Sequence, residues 1–375
     1  MRILFVTGFY PPQGGGTSVI IKNLISGLPS TEISGIVVQS YENTQSDDIN
    51  KDVIILELFK LQRLFKHRGL YFVRKLFFRR ELSKVRKMIR ETGTTHVVGV
   101  YPDFEFLQLA YLAAIKESCE FVPYLHDTLV EGLKHTRYAK ESVALQSKIF
   151  KESRLILVMS EGMQQLYQEK YNLKTYPLKH SYPEKNNNLV IRELKDSIFW
   201  GGQVYSINKS SVARVDKARS KIGVKFTIAS GDSLEKLHEL GISSTGLEKV
   251  FYGRKDYLKA LNVHQVLILA LDWPEESSVH EDELATIFPT KTIEYLNSGR
   301  PILVHCPEKY FLARFFRDFK CGIVVSERNT ERLSSHLHEL MINQDLTNTL
   351  VANAKVAAKQ FDLDNVVNEF HKILN

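Results

Sequence analysis

Hydrophobic and polar positions alternate between two periods along this chain. Apolar or β-branched runs at residues 2–7, 36–38, 53–56, 95–100, 121–125 and 155–159 read as short buried strands. Between them, 17–28 and 104–117 carry apolar residues at helical spacing, as with Val19, Ile20, Leu24 and Leu28. The polar run Tyr182-Pro183-Glu184-Lys185-Asn186-Asn187-Asn188 interrupts the series, which then restarts with strands expected at 198–200, 224–228, 250–253 and 266–271. Strands alternating with helices imply parallel sheets. Two such series predict an α/β protein of two Rossmann-like domains facing each other across a cleft, with residues 1–180 and 196–361 joined by a linker at 181–195.

One stretch late in the second series has a denser pattern. Across residues 288–304, Pro289 suits a first helical turn, Ile293 and Leu296 give an apolar face, Gly299 can cap the end, and Pro301 stops the helix before Ile302-Leu303-Val304. The free amides of a helix start attract a phosphate, and Lys291 adds a full charge there. Glu294, one turn in, can accept hydrogen bonds from a sugar's hydroxyls. Helix–Gly–Pro–strand units also occur in α/β proteins without any ligand, so spacing alone leaves both readings open.

Size agrees with two domains, because 375 residues exceed what one hydrophobic core usually organises. No run of about 18 apolar residues is present, so no membrane-spanning helix is expected. The strand Ile3-Leu4-Phe5-Val6 begins too early to leave room for a signal peptide, which gives a cytoplasmic expectation. Cys119, Cys306 and Cys321 have neither metal-ligand nor redox spacing and read as buried thiols.

Charge adds a second theme. A formal net charge of +7 asks for an acidic partner, and nucleic acid, anionic lipid and a phosphorylated small molecule all qualify. The distribution narrows the choice: between residues 58 and 90, twelve Lys/Arg stand against the single acid Glu81, with aromatics such as Phe59, Phe65, Tyr71, Phe72, Phe77 and Phe78 interleaved. Phe78, Leu82, Val85 and Ile89 follow helical rows, so the segment reads as an amphipathic helix, broken near Gly69. Its basic face, with Arg63, Lys66, Arg74, Lys75, Arg79 and Arg80, suits an anionic membrane surface, and equally a solvated face of a packed helix. No nucleic-acid recognition module accompanies the charge.

Several residues have positions suited to chemistry. The turn Tyr10-Pro11-Pro12-Gln13-Gly14-Gly15-Gly16 opens onto a helix, and His126 ends a strand where open α/β sheets bind ligands. Neither glycine loop spells a dinucleotide or P-loop signature. Asp362-Leu363-Asp364 is better explained as charge compensation at a helix start, and His280, Glu281, Asp282 and Glu283 as a solvated loop, so no metal is expected.

Taken together, Arg2-Ile3-Leu4-Phe5-Val6-Thr7, Tyr10-Pro11-Pro12 with Gly14, Gly15 and Gly16, then Gly202 with Lys209, and Phe288-Pro289-Thr290-Lys291 through Glu294-Tyr295-Leu296, Gly299 and Pro301 resemble the retaining GT-B glycosyltransferases of family four. The resemblance covers nearly the whole chain in order. It implies a donor nucleotide sugar, UDP- or GDP-linked, bound mainly to the C-terminal domain, and an acceptor bound to the N-terminal one. It implies that Glu294 holds the donor ribose, that Lys209 neutralises the diphosphate, and that Gly14 to Gly16 approach the diphosphate from the other domain. By the same resemblance His126 lies near the donor sugar, Pro289 and Thr290 form a turn whose amides meet phosphate, and a helix from about Asp362 to residue 375 crosses back to the N-terminal domain. Two positions depart from the pattern. Gln203 stands where arginine is usual, leaving Lys209, helix dipoles and Lys291 or Arg254 to meet the diphosphate, and Thr286 stands where the first glutamate of a pair is usual.

The expected function is therefore metal-independent sugar transfer, with retention and without a cofactor, to a glycan or lipid-linked acceptor in bacterial lipopolysaccharide or capsule assembly. The basic segment would hold the protein peripherally at the inner face of the plasma membrane. A nucleotide-sugar epimerase of the same fold, or a non-catalytic nucleotide-sugar or glycan binding module, are the alternatives.

Overall fold

The computed structural model describes residues 1–11, 15–40, 53–59, 71–182, 194–243 and 245–375, without the side chains of 71–74 and 255. Gly14, Arg63, Lys66, the expected break at Gly69, most of the expected linker and the side chain of Arg74 therefore lie outside the described set. The chain divides into two compact units, residues 1–183 with 363–375, and residues 184–362.

The first unit runs β1 (Ile3–Val6), α1 (Gly16–Gly27), β2 (Ile33–Gln39), β3 (Ile55–Leu58), α2 (Tyr71–Thr92), β4 (His96–Tyr101) and α3 (Phe104–Lys116). It continues with β5 (Glu120–Leu125), α4 (Leu129–Leu133), α5 (Ala139–Glu152), β6 (Leu157–Val158), α6 (Glu161–Tyr171) and β7 (Tyr176–Pro177). Among the described residues its sheet has seven strands in the order β3-β2-β1-β4-β5-β6-β7, with every pairing parallel. A strand covered on both faces must be apolar throughout, and all four residues of β1 are fully buried. Packing is close enough that a Cβ on Gly99 in β4 would fall 2.8 Å from the methyl of Ala110 on α3. Ser160 caps α6 by accepting the amide of Met163 at 3.2 Å, and Asp103 caps α3 through the amides of Glu105 and Phe106.

The second unit runs β8 (Lys195–Gly201), α7 (Lys209–Ser220), β9 (Lys225–Ala229), α8 (Leu234–Glu239), β10 (Leu247–Val250), α9 (Arg254–Val263) and β11 (His264–Ala270). After these come α10 (Glu281–Thr286), α11 (Lys291–Asn297), β12 (Ile302–His305), α12 (Phe311–Asp318), β13 (Ile323–Val325), α13 (Thr330–Ile342) and α14 (Gln344–Ala358). Its parallel sheet has the order β10-β9-β8-β11-β12-β13, around a core containing Trp200, Val212, Phe226, Ile268 and Leu303. The last helix, α15 (Leu363–Leu374), returns to the first unit, where Val366, Val367, Phe370 and Leu374 join the core and pack on α1.

The α/β class and the two parallel-sheet Rossmann-like units are those expected. One strand is displaced: β10 ends at Val250 instead of occupying 250–253. Its register pairs Leu247 with Phe226 and Val250 with Ala229, and there β9 ends, so Phe251 projects beyond the sheet and is 78% exposed. The aromatic run Val250-Phe251-Tyr252 has strand propensity without a strand's neighbours.

Candidate functional site

Both sheets change winding direction once, between β1 and β4 and between β8 and β11, and ligands of open α/β sheets gather outside the C-terminal strand ends at such points. In the second unit, β8 ends there in Gly201 and Gly202. Gly201 cannot carry a side chain, since a Cβ would lie 2.5 Å from the ring and hydroxyl of Tyr257, and Gly202 has φ +106°. Beside them α11 starts after Thr290, with the amide of Thr292 bonded to Pro289 O at 2.8 Å, and it is followed by Gly299 at φ +73°. This is the helix, glycine turn and strand that the apolar spacing of 288–304 predicts.

Several of the candidate side chains meet around this turn. Glu294, whose side chain is 11% exposed, is ion-paired with Arg254 from the first turn of α9. Tyr257, one turn further along α9, hydrogen-bonds Glu294, while the Tyr295 hydroxyl accepts the amide of Gly201 at 2.9 Å. Burial and the nearby carboxylate push the Tyr257 hydroxyl pKa well above its ordinary value, so it remains a neutral donor. Lys291 donates to Gly201 O at 2.8 Å and lies 3.1 Å above the centre of the Trp200 ring. Burial lowers its pKa well below the usual lysine value, opposed by Glu294. Through these two contacts its amino group braces the β8 turn.

Lys209 opens α7, half-buried, and makes no ion pair among the described residues. The helix start behind it is already occupied: the amides of Ser210 and Ser211 donate to the carboxylate of Asp272, at 3.1 and 2.7 Å. Asp272 is fully buried, and burial raises its pKa against the pull of those amides. Any anion here would therefore meet the side chain of Lys209 and not the first amides of α7. Gln203 is exposed, with its backbone carbonyl held by Asn208. Thr286 is buried and donates to Glu283 O at 2.9 Å.

The first unit's strand ends carry His126, just beyond β5. It is 9% exposed, its Nδ1 lies 3.2 Å from the hydroxyl of Thr17 on α1, and its buried Nε2 has no partner among the described residues. Burial, with a smaller contribution from His180, lowers its pKa to about 3, so the ring is neutral near pH 7. Gly15 precedes α1 at φ +122°, and Gly16 is its first residue. The basic segment forms one long helix from Tyr71, in which Leu82, Val85, Met88 and Ile89 are buried while Lys75, Leu76, Arg79 and Arg80 are exposed. Its C-terminal cations are paired, Arg86 and Arg90 with Glu117 and Lys84 with Glu81, whereas Lys75, Arg79 and Arg80 make no ion pair among the described residues.

Sequence reading missed Tyr257, Asp272 and Phe251. Only Asp272 carries a signal, as a carboxylate directly after the apolar run of β11 at the sheet edge. Arg254 and Glu294 were each singled out, but their pairing joins elements 40 positions apart.

No family model and no curated protein sequence matches the chain. Solved structures do. Sucrose-phosphate synthase from Thermosynechococcus elongatus superposes with a TM-score of 0.72 at 11% identity, covering 100% of this chain and 98% of that one. HepE from Anabaena, solved with UDP and with UDP-glucose, gives 0.71 at 13% identity over 100% and 99%. The lipopolysaccharide outer core galactosyltransferase WaaB gives 0.66 at 13% over 100% and 99%. At such identities the likeness establishes the fold, which is that of the GT-B glycosyltransferases.

Proposed function

We propose that this protein is a retaining glycosyltransferase that moves a sugar from a nucleotide sugar to a hydroxyl of a glycan or lipid-linked glycan in bacterial surface polysaccharide assembly. The observation that carries this reading is the shielded Glu294 carboxylate, held by Arg254 and Tyr257 beside the side-chain-free turn Gly201-Gly202 at the second sheet's switch point. A carboxylate there can accept both hydroxyls of a ribose, and two glycines let a diphosphate approach the backbone. Phe251, exposed beyond β10, offers its face to the base. Neighbours solved with UDP and UDP-glucose favour a UDP-sugar donor.

As the bond from the anomeric carbon to the diphosphate breaks, negative charge grows on the leaving phosphate while the sugar ring becomes oxocarbenium-like. Lys209 is the cation that meets this charge, and a cation already standing at the strand end as the bond breaks stabilises the transition state. His126, neutral and with a free buried Nε2, serves the sugar as a hydrogen-bonding group and not as a charged acid. The exposed cations Lys75, Arg79 and Arg80 with Leu76 on α2 give the first unit a face for anionic lipid, consistent with a lipid-linked acceptor and peripheral attachment.

The test is a thermal-shift and turnover panel of UDP, GDP, dTDP and CMP and their sugars. A nucleotide at 100 times its dissociation constant adds about 2.7 kcal/mol, which raises the melting temperature by several degrees. Glu294→Gln should weaken the binding nucleotide about tenfold, and Phe251→Ala several-fold. Undiminished affinity in Glu294→Gln removes the ribose assignment, and nucleotide binding without transfer to any acceptor favours a binding module.

A further inference from the structure

A second concavity lies in the same unit, on the other side of β11 from the Gly201-Gly202 turn. It has a volume of about 480 Å³ and is lined by residues just after β11 (Trp273, Pro274, Glu275), just after β12 (Pro307, Glu308, Lys309), by Ser326 after β13 and by Glu281 at the start of α10. It shares no lining residue with the Glu294 cluster, and it is an open surface depression whose volume is within the range of small-molecule sites.

Its chemistry selects a class of ligand. Each of the three carboxylates already has its own cation: Glu281 pairs with Lys309, Glu275 with Arg328 at 2.7 Å, and Glu308 with Arg317, whose Nη2 donates to it at 2.6 Å. The rim is thus close to neutral, and neither an anion nor a cation gains from entering. The indole of Trp273 is also taken by cations, with the guanidiniums of Arg214 and Arg328 at 4.8 and 5.7 Å from its ring centre, so it has little attraction left for an amine. What remains is a dense set of directional groups: carboxylate oxygens that accept, the Lys309 ammonium and the Trp273 Nε1–H, which has no acceptor among the described residues, that donate, and the Ser326 hydroxyl, which bonds Glu308 at 2.7 Å. Pro274 and Pro307 supply rigid apolar walls. A ligand that is uncharged, rich in hydroxyls that both donate and accept, and apolar between them matches this lining.

We infer that the cavity between Trp273, Glu281, Glu308 and Ser326 is a binding subsite for a neutral saccharide, separate from the site of the nucleotide.

The chain contains two tryptophans, Trp200 beneath the Lys291 ammonium and Trp273 at this cavity, which makes the two sites separately observable. Protein labelled with 5-fluorotryptophan should show two fluorine resonances, assigned with Trp273→Phe. Titration with methyl α- and β-glucopyranosides, galactopyranosides and mannopyranosides and with cellobiose and lactose should move the Trp273 resonance saturably and leave that of Trp200 in place. UDP should do the reverse, so failure of the nucleotide reading and failure of this one are distinguishable. Glu308→Gln and Ser326→Ala should each weaken the saccharide about fivefold, the loss of one hydrogen bond. If every saccharide leaves Trp273 unmoved, or if spermidine or inorganic phosphate moves it while saccharides do not, the inference is overturned. Saturation-transfer difference spectra of the unlabelled protein give the same answer without any substitution, and absence of transfer from every saccharide overturns it equally.

Discussion

The two sheet edges have the same topology and opposite electrostatics. At the first unit's switch point the side chain singled out is a buried, neutral histidine, kept from protonation by burial, bonded to a threonine hydroxyl and packed edge-on against the Tyr124 ring. At the second, charged groups dominate, and they are paired in advance: Arg254 with Glu294, Lys291 with the Gly201 carbonyl and Trp200 ring, Asp272 with the start of α7. One fold thus supplies a buried, neutral strand end in one unit and a charged wall at the strand ends of the other, and the difference is made by a few residues after each strand end. Lys209 is the exception on the charged side, a half-buried cation left unpaired among the described residues.

The sharpest way to break that contrast is to remove the exception. Lys209→Ala should lower turnover about 10²- to 10³-fold in an initial-rate assay, as loss of a preorganised charge-stabilising group does, while the exposed Lys217→Ala changes little. Equal rates in the two variants would remove Lys209 from the charged wall.

Acid titration probes the neutral side. His126 is depressed to about 3, and His264 and His305 to about 4, all three chiefly by burial. A lowered folded-state pKa means that the unfolded chain binds the proton more readily. Stability from these groups is therefore full above pH 6.5 and is lost as pH falls towards 4, by roughly 3 kcal/mol for each of His264 and His305. Calorimetry between pH 7 and 4 should show the second unit, which holds both, falling in stability through this window. Turnover, in contrast, should show no inflection near pH 6.5 from His126, and one that Thr17 or His126 substitution abolishes would make the histidine a titrating catalyst.

The smallest effect belongs to α2. Arg79→Gln should reduce partitioning onto vesicles of anionic lipid by at most about fivefold, since a single surface cation contributes about 1 kcal/mol before screening. Sedimentation at low and high salt measures it, and no binding by the parent protein at low salt would make Lys75, Arg79 and Arg80 a solvated face only.

Legibility in the sequence followed locality. Continuous apolar runs such as Ile3-Leu4-Phe5-Val6 announced buried parallel strands, and Pro289, Gly299 and Pro301 bounded α11 because each limits the backbone by itself. Strand ends were less visible, since β10 stops where β9 stops and not where the aromatic run does. Pairing was not visible at all. Nothing in a linear reading joins Asp272 to Ser210 and Ser211, 61 to 62 positions away, or shows that Lys291 is turned towards Trp200. The residue types that make a charged site could be named, but which of them neutralise one another is decided by tertiary contact.

The return of α15 has a consequence for synthesis. The first unit is discontinuous: the apolar face of Val366, Val367, Phe370 and Leu374 that completes its core is encoded after the whole of the second unit. On the ribosome residues 1–183 must therefore wait with that groove uncovered, while residues 184–362 are made and can close their own core. The second unit can finish first although most of the first is translated before it, and a chain released before Leu363 would leave the N-terminal unit open along α1 and exposed to aggregation.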